Sequence, residues 1–144
     1  MSEGLPKGWV LSDIGNIGEI VGGGTPNTSE ETNFCSPPEG IPWLSPVDLS
    51  GYKGKYISHG RRNLSENGYK SSSAKLMPTG TVVFSSRAPI GYVAIAGSPV
   101  STNQGFRSII PHKGIYNAYE AFSKVSLSWL GRTSKLERKA IKSN

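Results

Sequence analysis

The chain predicts an α+β domain with a curved, mostly antiparallel sheet, a short N-terminal helix and a longer C-terminal helix. Three observations lead there. Between Ala74 and Phe106 the apolar runs VVF and YVAIA are too short for helices and are bounded by Gly and Pro, so strands are expected over 81–86 and 91–97. Ile115, Tyr119, Phe122, Val125 and Trp129 fall on one stripe at helical spacing, which predicts an amphipathic helix over 116–130 stopped by Gly131. A length of 144 residues with 35% hydrophobic content, 18 Gly and 10 Pro suits a loop-rich domain large enough to bury a core.

Taken in order, residues 9–20 carry the short helical signal. Ser12 is an N-cap residue type, and Leu11, Ile14 and Ile17 share one helix face. Glu19, Ile20 and Val21 then read as a strand that ends at the run GGGTP, residues 22–26. No Gly-Lys-Ser/Thr follows, so this is not a P-loop. A tight turn is the favoured reading, and contact between its free amides and a DNA phosphate is the second. Residues 27–39 are polar, rich in Pro and acids, and read as an exposed loop. Residues 41–45 form a short strand whose Trp43 is favoured as a core aromatic over a base-stacking one.

Residues 52–69 differ in character. Lys53, Lys55, Arg61 and Arg62 alternate with Tyr52 and Tyr56, and no acid lies between Asp48 and Glu66. Interleaved bases and aromatics suit phosphate neutralisation at a groove, the alternative being a solvated hairpin with snorkelling lysines. Asn63 is expected to cap a short helix through Tyr69, followed by Lys70. The tail 132–144 holds five bases and one acid with a weak helical stripe at Leu136, Ala140 and Ile141. Three placements stay open for it: along DNA, packed as a last helix, or frayed.

The net charge of +6 is unevenly distributed. Residues 1–50 hold one base against seven acids, whereas residues 51–144 hold 15 bases against three acids. Such polarity points to a basic face turned toward a polyanion. Several classes are disfavoured. No apolar run approaches the ~18–20 residues of a membrane span, and the N-terminus has no apolar signal-peptide core. The lone Cys35 fits a reducing cytoplasm and permits no internal disulfide. His59, His112 and Cys35 lack zinc-ligand spacing, so no metal site is expected. Ser85 and Ser86 lack a G-x-S-x-G context. No catalytic residue is therefore assigned, and a hydrolase built on Ser85 or Cys35 is a remote alternative.

Five elements in order carry a family resemblance: LPKGW at 5–9, GGGTP at 22–26, GIPWLSPVDL at 40–49, PTGTVVFSSRAPIG at 78–91 and STNQGF at 101–106. Together they resemble the target recognition domain of the specificity subunit of type I restriction–modification systems, over roughly residues 5–119. The resemblance implies a non-catalytic, cytoplasmic protein that gives a complex one half-site of its DNA target. It implies methyltransferase subunits that bind S-adenosylmethionine and restriction subunits that use ATP and Mg, with no cofactor in this chain. The family carries two such domains separated by long spacer helices. Here residues 1–131 read as one domain, and the basic tail 132–144 stands where a spacer helix is expected. A cloned fragment, a truncated product and a half-subunit that pairs with a second copy remain open.

The same resemblance suggests that GGGTP, IPWLS and NQGF build the framework, with readout falling to the basic region and nearby loops. Lys53, Lys55, Arg61, Arg62 and Lys70 are the expected phosphate contacts. Arg87, Asn103 and Gln104 are the expected base-edge contacts, because such side chains can form paired hydrogen bonds with base edges. For the NQG loop a purely structural turn is equally open. The rival to a DNA reader is an interaction module that docks an acidic partner and binds DNA only nonspecifically.

Overall fold

The computed structural model describes residues 9–13, 18–87, 91–113 and 138–142. Its largest sheet is five-stranded, in the order β2 (Gly18–Val21), β10 (Ser108–Pro111), β7 (Val82–Phe84), β8 (Val93–Ala96), β5 (Tyr56–Ile57). The VVF and VAIA runs pair antiparallel as β7 and β8, with Val82 opposite Ile95 and Phe84 opposite Val93. A second sheet runs β3 (Phe34–Cys35), β6 (Asn63–Leu64), β4 (Ile41–Leu44), β9 (Ser101–Thr102). A two-stranded ribbon joins β1 (Trp9–Asp13) to β11 (Arg138–Lys142). Among the described residues only β4–β9 and β5–β8 pair in parallel, so the mostly antiparallel character read from the sequence holds.

Both described helices are single turns set by local chemistry. In α1 (Pro46–Leu49) a proline occupies the start of the helix, where no amide partner is needed, and Asp48 completes a capping box with Ser45. In α2 (Glu66–Lys70) the Ser65 hydroxyl accepts the Gly68 amide at 3.1 Å. The cap is thus Ser65. Asn63, expected in that role, lies one strand earlier, buried in β6, where its side-chain nitrogen donates to the Glu39 carbonyl at 2.8 Å.

The main core lies where the sheets meet: Leu44 from β4, Val83 from β7, Ala94 and Ala96 from β8, closed by Leu49, Met77, Val100 and Phe106. A smaller cluster holds Trp43, Leu64 and Ala74 with Phe34, Ile41 and Tyr69 against it. All three residues of β7 are buried, as expected for a central strand covered on both faces.

The short helix expected over 9–20 is corrected: Trp9–Asp13 and Gly18–Val21 are strands. A lone helix of that length gains little from its own hydrogen bonds, whereas β2 pairs with four residues of β10 and β1 with five of β11. Those partners lie some 90 to 130 residues along the chain, beyond any local periodicity. The same pairing replaces the weak helical stripe of the tail over Arg138–Lys142. The loop expected over 27–39 contains a 3-10 turn at Glu31–Asn33 and the strand β3. The helix expected over 116–130 lies outside the described residues. Among the described residues no helix is long and apolar enough to cross a membrane.

Leu44 is fully buried between the sheets, so Leu44→Ala should destabilise the fold by ~2–5 kcal/mol in urea denaturation. A loss under about 1 kcal/mol would mean the sheets do not share this core.

Candidate functional site

The GGGTP segment leaves β2 and closes against the loop that follows β9. Gly24 N–H donates to the Thr102 carbonyl at 3.0 Å, and the buried Trp43 donates its indole Nε1–H to the Gly24 carbonyl at 3.0 Å. A Cβ on Gly23 would strike the Thr102 and Asn103 carbonyls, so only glycine permits this approach. From the other side, Asn103 N–H donates to the Leu44 carbonyl at 2.8 Å. The Thr25 hydroxyl donates to Gln104 Oε1. Residues 22–26 are thus an irregular connection held by long-range contacts rather than the tight turn expected: no hydrogen bond closes a turn within them and none of Gly22, Gly23 and Gly24 has a positive φ. Trp43 is a core residue.

The NQG loop is itself braced. Asn103 Oδ1 accepts the Gly105 N–H at 2.8 Å, the side chain-to-backbone turn weighed from the sequence. The Gly105 carbonyl accepts the N–H groups of Ser86 and Arg87 at 2.8 and 3.3 Å. Phe106 bridges Ser85, and Arg107 N–H donates to the Phe84 carbonyl at 2.9 Å. This brings the β7 exit, with Arg87, beside the NQGF segment, with Arg107.

Two clefts open on either side of Gln104, which lines both. The first, about 300 Å³, is lined by Thr25, Trp43, Arg61, Arg62 and Asn103, with Asp48 on its wall. The second, about 320 Å³, is lined by Gly22, Gly23, Ser86, Arg87 and Arg107. Of the eight residues expected at a site, five meet here: Arg61, Arg62, Arg87, Asn103 and Gln104. Lys53, Lys55 and Lys70 line neither cleft. Lys70 is exposed and paired with Glu66 one turn away at 2.8 Å. That contact holds the Glu66 carboxyl below its usual range and raises the Lys70 ammonium, chiefly through the hydrogen bond between them. Arg107 was missed. Its only sequence signal was its place directly after NQGF.

Asp48 fixes the arginine-bearing loop. Its carboxylate is 6% exposed yet fully engaged: Oδ2 accepts the Ser45 N–H at 2.8 Å and the Ser45 hydroxyl at 3.1 Å. Oδ1 accepts the Arg61 N–H at 3.2 Å, with the Arg61 guanidinium at 3.7 Å. A Cβ on Gly60 would collide with this carboxylate, so Gly60 admits the loop. The guanidinium of Arg61 is 77% exposed, which leaves it available to a ligand while the backbone amide carries the anchoring. Arg62 lies flat on an aromatic shelf, its guanidinium carbon 3.7 Å from the Phe34 ring centre and 5.6 Å from that of Trp43. Phe34 and Trp43 themselves pack at 5.7 Å.

The two groups weighed as nucleophiles are engaged elsewhere. The buried Ser85 hydroxyl accepts the Tyr92 N–H at 3.0 Å. Cys35 donates its thiol to the Glu39 carbonyl at 3.2 Å, and burial, reinforced by the Glu39 charge, pushes the thiol above its ordinary range. Among the described residues no group of three or more His, Cys, Asp or Glu is close enough to hold a metal.

Comparison with known proteins agrees over nearly the whole chain. A family model described as the type I restriction modification DNA specificity domain matches residues 6–142. The MjaIX type I restriction enzyme specificity subunit of Methanocaldococcus jannaschii is 47% identical over 115 residues, covering 80% of this chain and 26% of that protein. The HindI type I specificity subunit of Haemophilus influenzae is 29% identical over 107 residues, covering 74% of this chain and 22% of its own length. This chain thus spans about a quarter of these relatives. In structure it resembles the HsdS subunit of Thermoanaerobacter tengcongensis, with a TM-score of 0.63, 19% identity, and coverage of 96% of this chain and 34% of that one. A chain from a structural study of type I R-M complex assembly and conformational transition gives a TM-score of 0.64 at 20% identity, covering 96% and 35%. These similarities establish the fold.

Two outcomes test the site geometry. Asp48→Ala should cost ~1–3 kcal/mol and speed amide exchange at Arg61, because it strands the Ser45 and Arg61 donors. An unchanged exchange rate would mean that loop is held by other contacts. A raised thiol pKa leaves less thiolate at pH 8, so Cys35 should be alkylated more slowly than a free cysteine and catch up as pH rises. Equal rates at pH 8 in folded and urea-unfolded protein would contradict the burial argument.

Proposed function

The chain belongs to the family of type I restriction modification DNA specificity domains, and we propose from that premise that it binds duplex DNA sequence-specifically, supplying one half-site of target specificity to a type I restriction–modification complex. The observation that carries this reading is the convergence of Arg61, Arg62, Arg87 and Arg107 around the braced Gln104 on two adjoining clefts. Four cations without a matching set of acids attract a polyanion, and an amide fixed on a rigid loop can discriminate base edges. Arg61 and Arg62 serve as phosphate contacts, with Lys53, Lys55 and Lys70 as outlying ones. Gln104, with Asn103 behind it, faces the bases.

The protein itself carries out no chemistry in this reading. The family it belongs to is a specificity family, and its Ser85 and Cys35 are engaged as described above. Methyltransferase and restriction subunits are its partners, and S-adenosylmethionine, ATP and Mg belong to them. It works in the cytoplasm, where the DNA and those subunits are, and a pairing of two copies would join two half-sites.

Selection of duplexes from a randomised pool at two salt concentrations tests the function. Enrichment of one short motif that survives the higher salt is expected. Binding without a motif that vanishes as salt rises would sink the proposal and favour docking to an acidic protein. Arg62→Ala should weaken binding to every duplex and lower the salt slope by about one, while Gln104→Ala should change preference at one base pair by ~1–3 kcal/mol. Lys70→Ala should act more weakly than Arg62→Ala, since Lys70 already has Glu66 as a partner. Equal losses would show that the clefts are not the contact face.

A further inference from the structure

The two clefts differ in chemistry, and the difference assigns them different tasks. The first has an aromatic floor and a carboxylate on its wall, whereas among the described residues no acid lines the second. The second is lined by two exposed arginines, Arg87 and Arg107, with Ser86, Gly22 and Gly23, and by Gln104, which it shares with the first. Arg87 and Arg107 are set by neighbouring backbone bonds, Arg87 N–H to the Gly105 carbonyl and Arg107 N–H to the Phe84 carbonyl. Their stems therefore flank the Ser85–Phe106 bridge on a fixed frame. Among the described residues, and apart from its chain neighbours, no heavy atom lies within 4 Å of where a Cβ on Gly22 would project, so the glycine backbone is open to them on that side.

We propose that this second cleft is a seat for one phosphate of the DNA backbone, held between the guanidiniums of Arg87 and Arg107 with the Ser86 hydroxyl and glycine backbone as its wall. The inference rests on the DNA-binding reading above and refines it. Arg87, expected from the sequence at a base edge, becomes a backbone contact paired with Arg107. The chemistry fits a tetrahedral anion: planar forks bind phosphate oxygens in pairs, and no carboxylate among the described lining residues opposes it. A phosphate fixed here sets the register of the duplex and leaves Gln104, shared by both clefts, next to the bases.

The test uses the full chain and four forms: wild type, Arg87→Ala, Arg107→Ala and Gly22→Asp. Gly22→Asp enters open space, so the fold and its melting temperature should hold while a carboxylate fills the seat. Inorganic phosphate, followed by amide NMR, should shift Gly22, Gly23, Ser86 and Gln104 saturably in the wild type and not in Gly22→Asp. With duplexes, each arginine variant should lose about tenfold in affinity on every sequence and about one unit of salt slope, keeping the same preferred motif. An altered preferred base in Arg87→Ala or Arg107→Ala would overturn the seat and make that arginine a base reader. Full duplex affinity in Gly22→Asp, or phosphate shifts confined to other residues, would overturn it as well. Specific duplex binding with an unperturbed seat sinks this inference alone. Phosphate in the seat without duplex binding at any salt sinks the DNA reading and leaves only an anion site.

Discussion

The rest of the structure depends on one close approach, the packing of the Gly23–Gly24 backbone against the Thr102–Asn103 backbone. Two chain segments from different sheets meet there, with the Thr102 and Asn103 carbonyls and the Thr102 hydroxyl crowding the glycine. The Gly24 amide and carbonyl are both taken, by Thr102 and by the Trp43 indole, and a Cβ at Gly23 would hold the strands apart. Each hydrogen bond is worth only ~0.5–1.5 kcal/mol net, so the contact is not dominant in energy. Its weight is geometric. It fixes β2 of the five-stranded sheet relative to β4 and β9 of the second, and so fixes the two walls of both clefts.

From that junction outward the chain separates rigid support from exposed chemistry. Leu44, Val83, Val100 and Phe106 lie beneath, each almost wholly buried. Above them, the Asp48 carboxylate and Asn103 Oδ1 accept backbone amides and thereby hold the loops in place. The arginines stand at the last step, anchored through main-chain amides or an aromatic shelf, with their guanidiniums largely in solvent. Exposed ion pairs are weak in water, so the Arg61–Asp48 contact constrains the head group little. A polyanion can therefore recruit these cations without first breaking a strong internal pair. Lys70 differs, since its charge is already matched by an equally exposed Glu66.

The motifs that mark the family are largely those that build this frame. GGGTP supplies the close approach, IPWLSPVDL supplies β4, its core tryptophan and the Asp48 clamp, and NQGF supplies the braced loop. The arginines ride on the ends of these motifs or between them, where a change of side chain disturbs little of the frame.

Sequence by itself determined the features that depend on near neighbours. The VVF and VAIA strands and the α+β class follow from short-range steric preference and apolar spacing, and all are present. The cap of α2 was placed two residues early, because Asn63 and Ser65 are both capping types and only the pairing of Asn63 in β6 separates them. Tertiary structure alone decided what Trp9–Asp13 and Gly18–Val21 become. Their helical spacing is real, yet pairing with β11 and β10 outweighs it, and no local window reports partners some 90 to 130 residues away. It alone also decided which cations share a face. Charge in sequence marked the region from Lys53 to Arg62, but the fold sends Arg61 and Arg62 to Gln104 and joins them with Arg87 and the unmarked Arg107. Proximity across strands depends on pairing register and on close approaches such as that of Gly23 to Thr102 and Asn103, some 80 residues apart, which no local window reports.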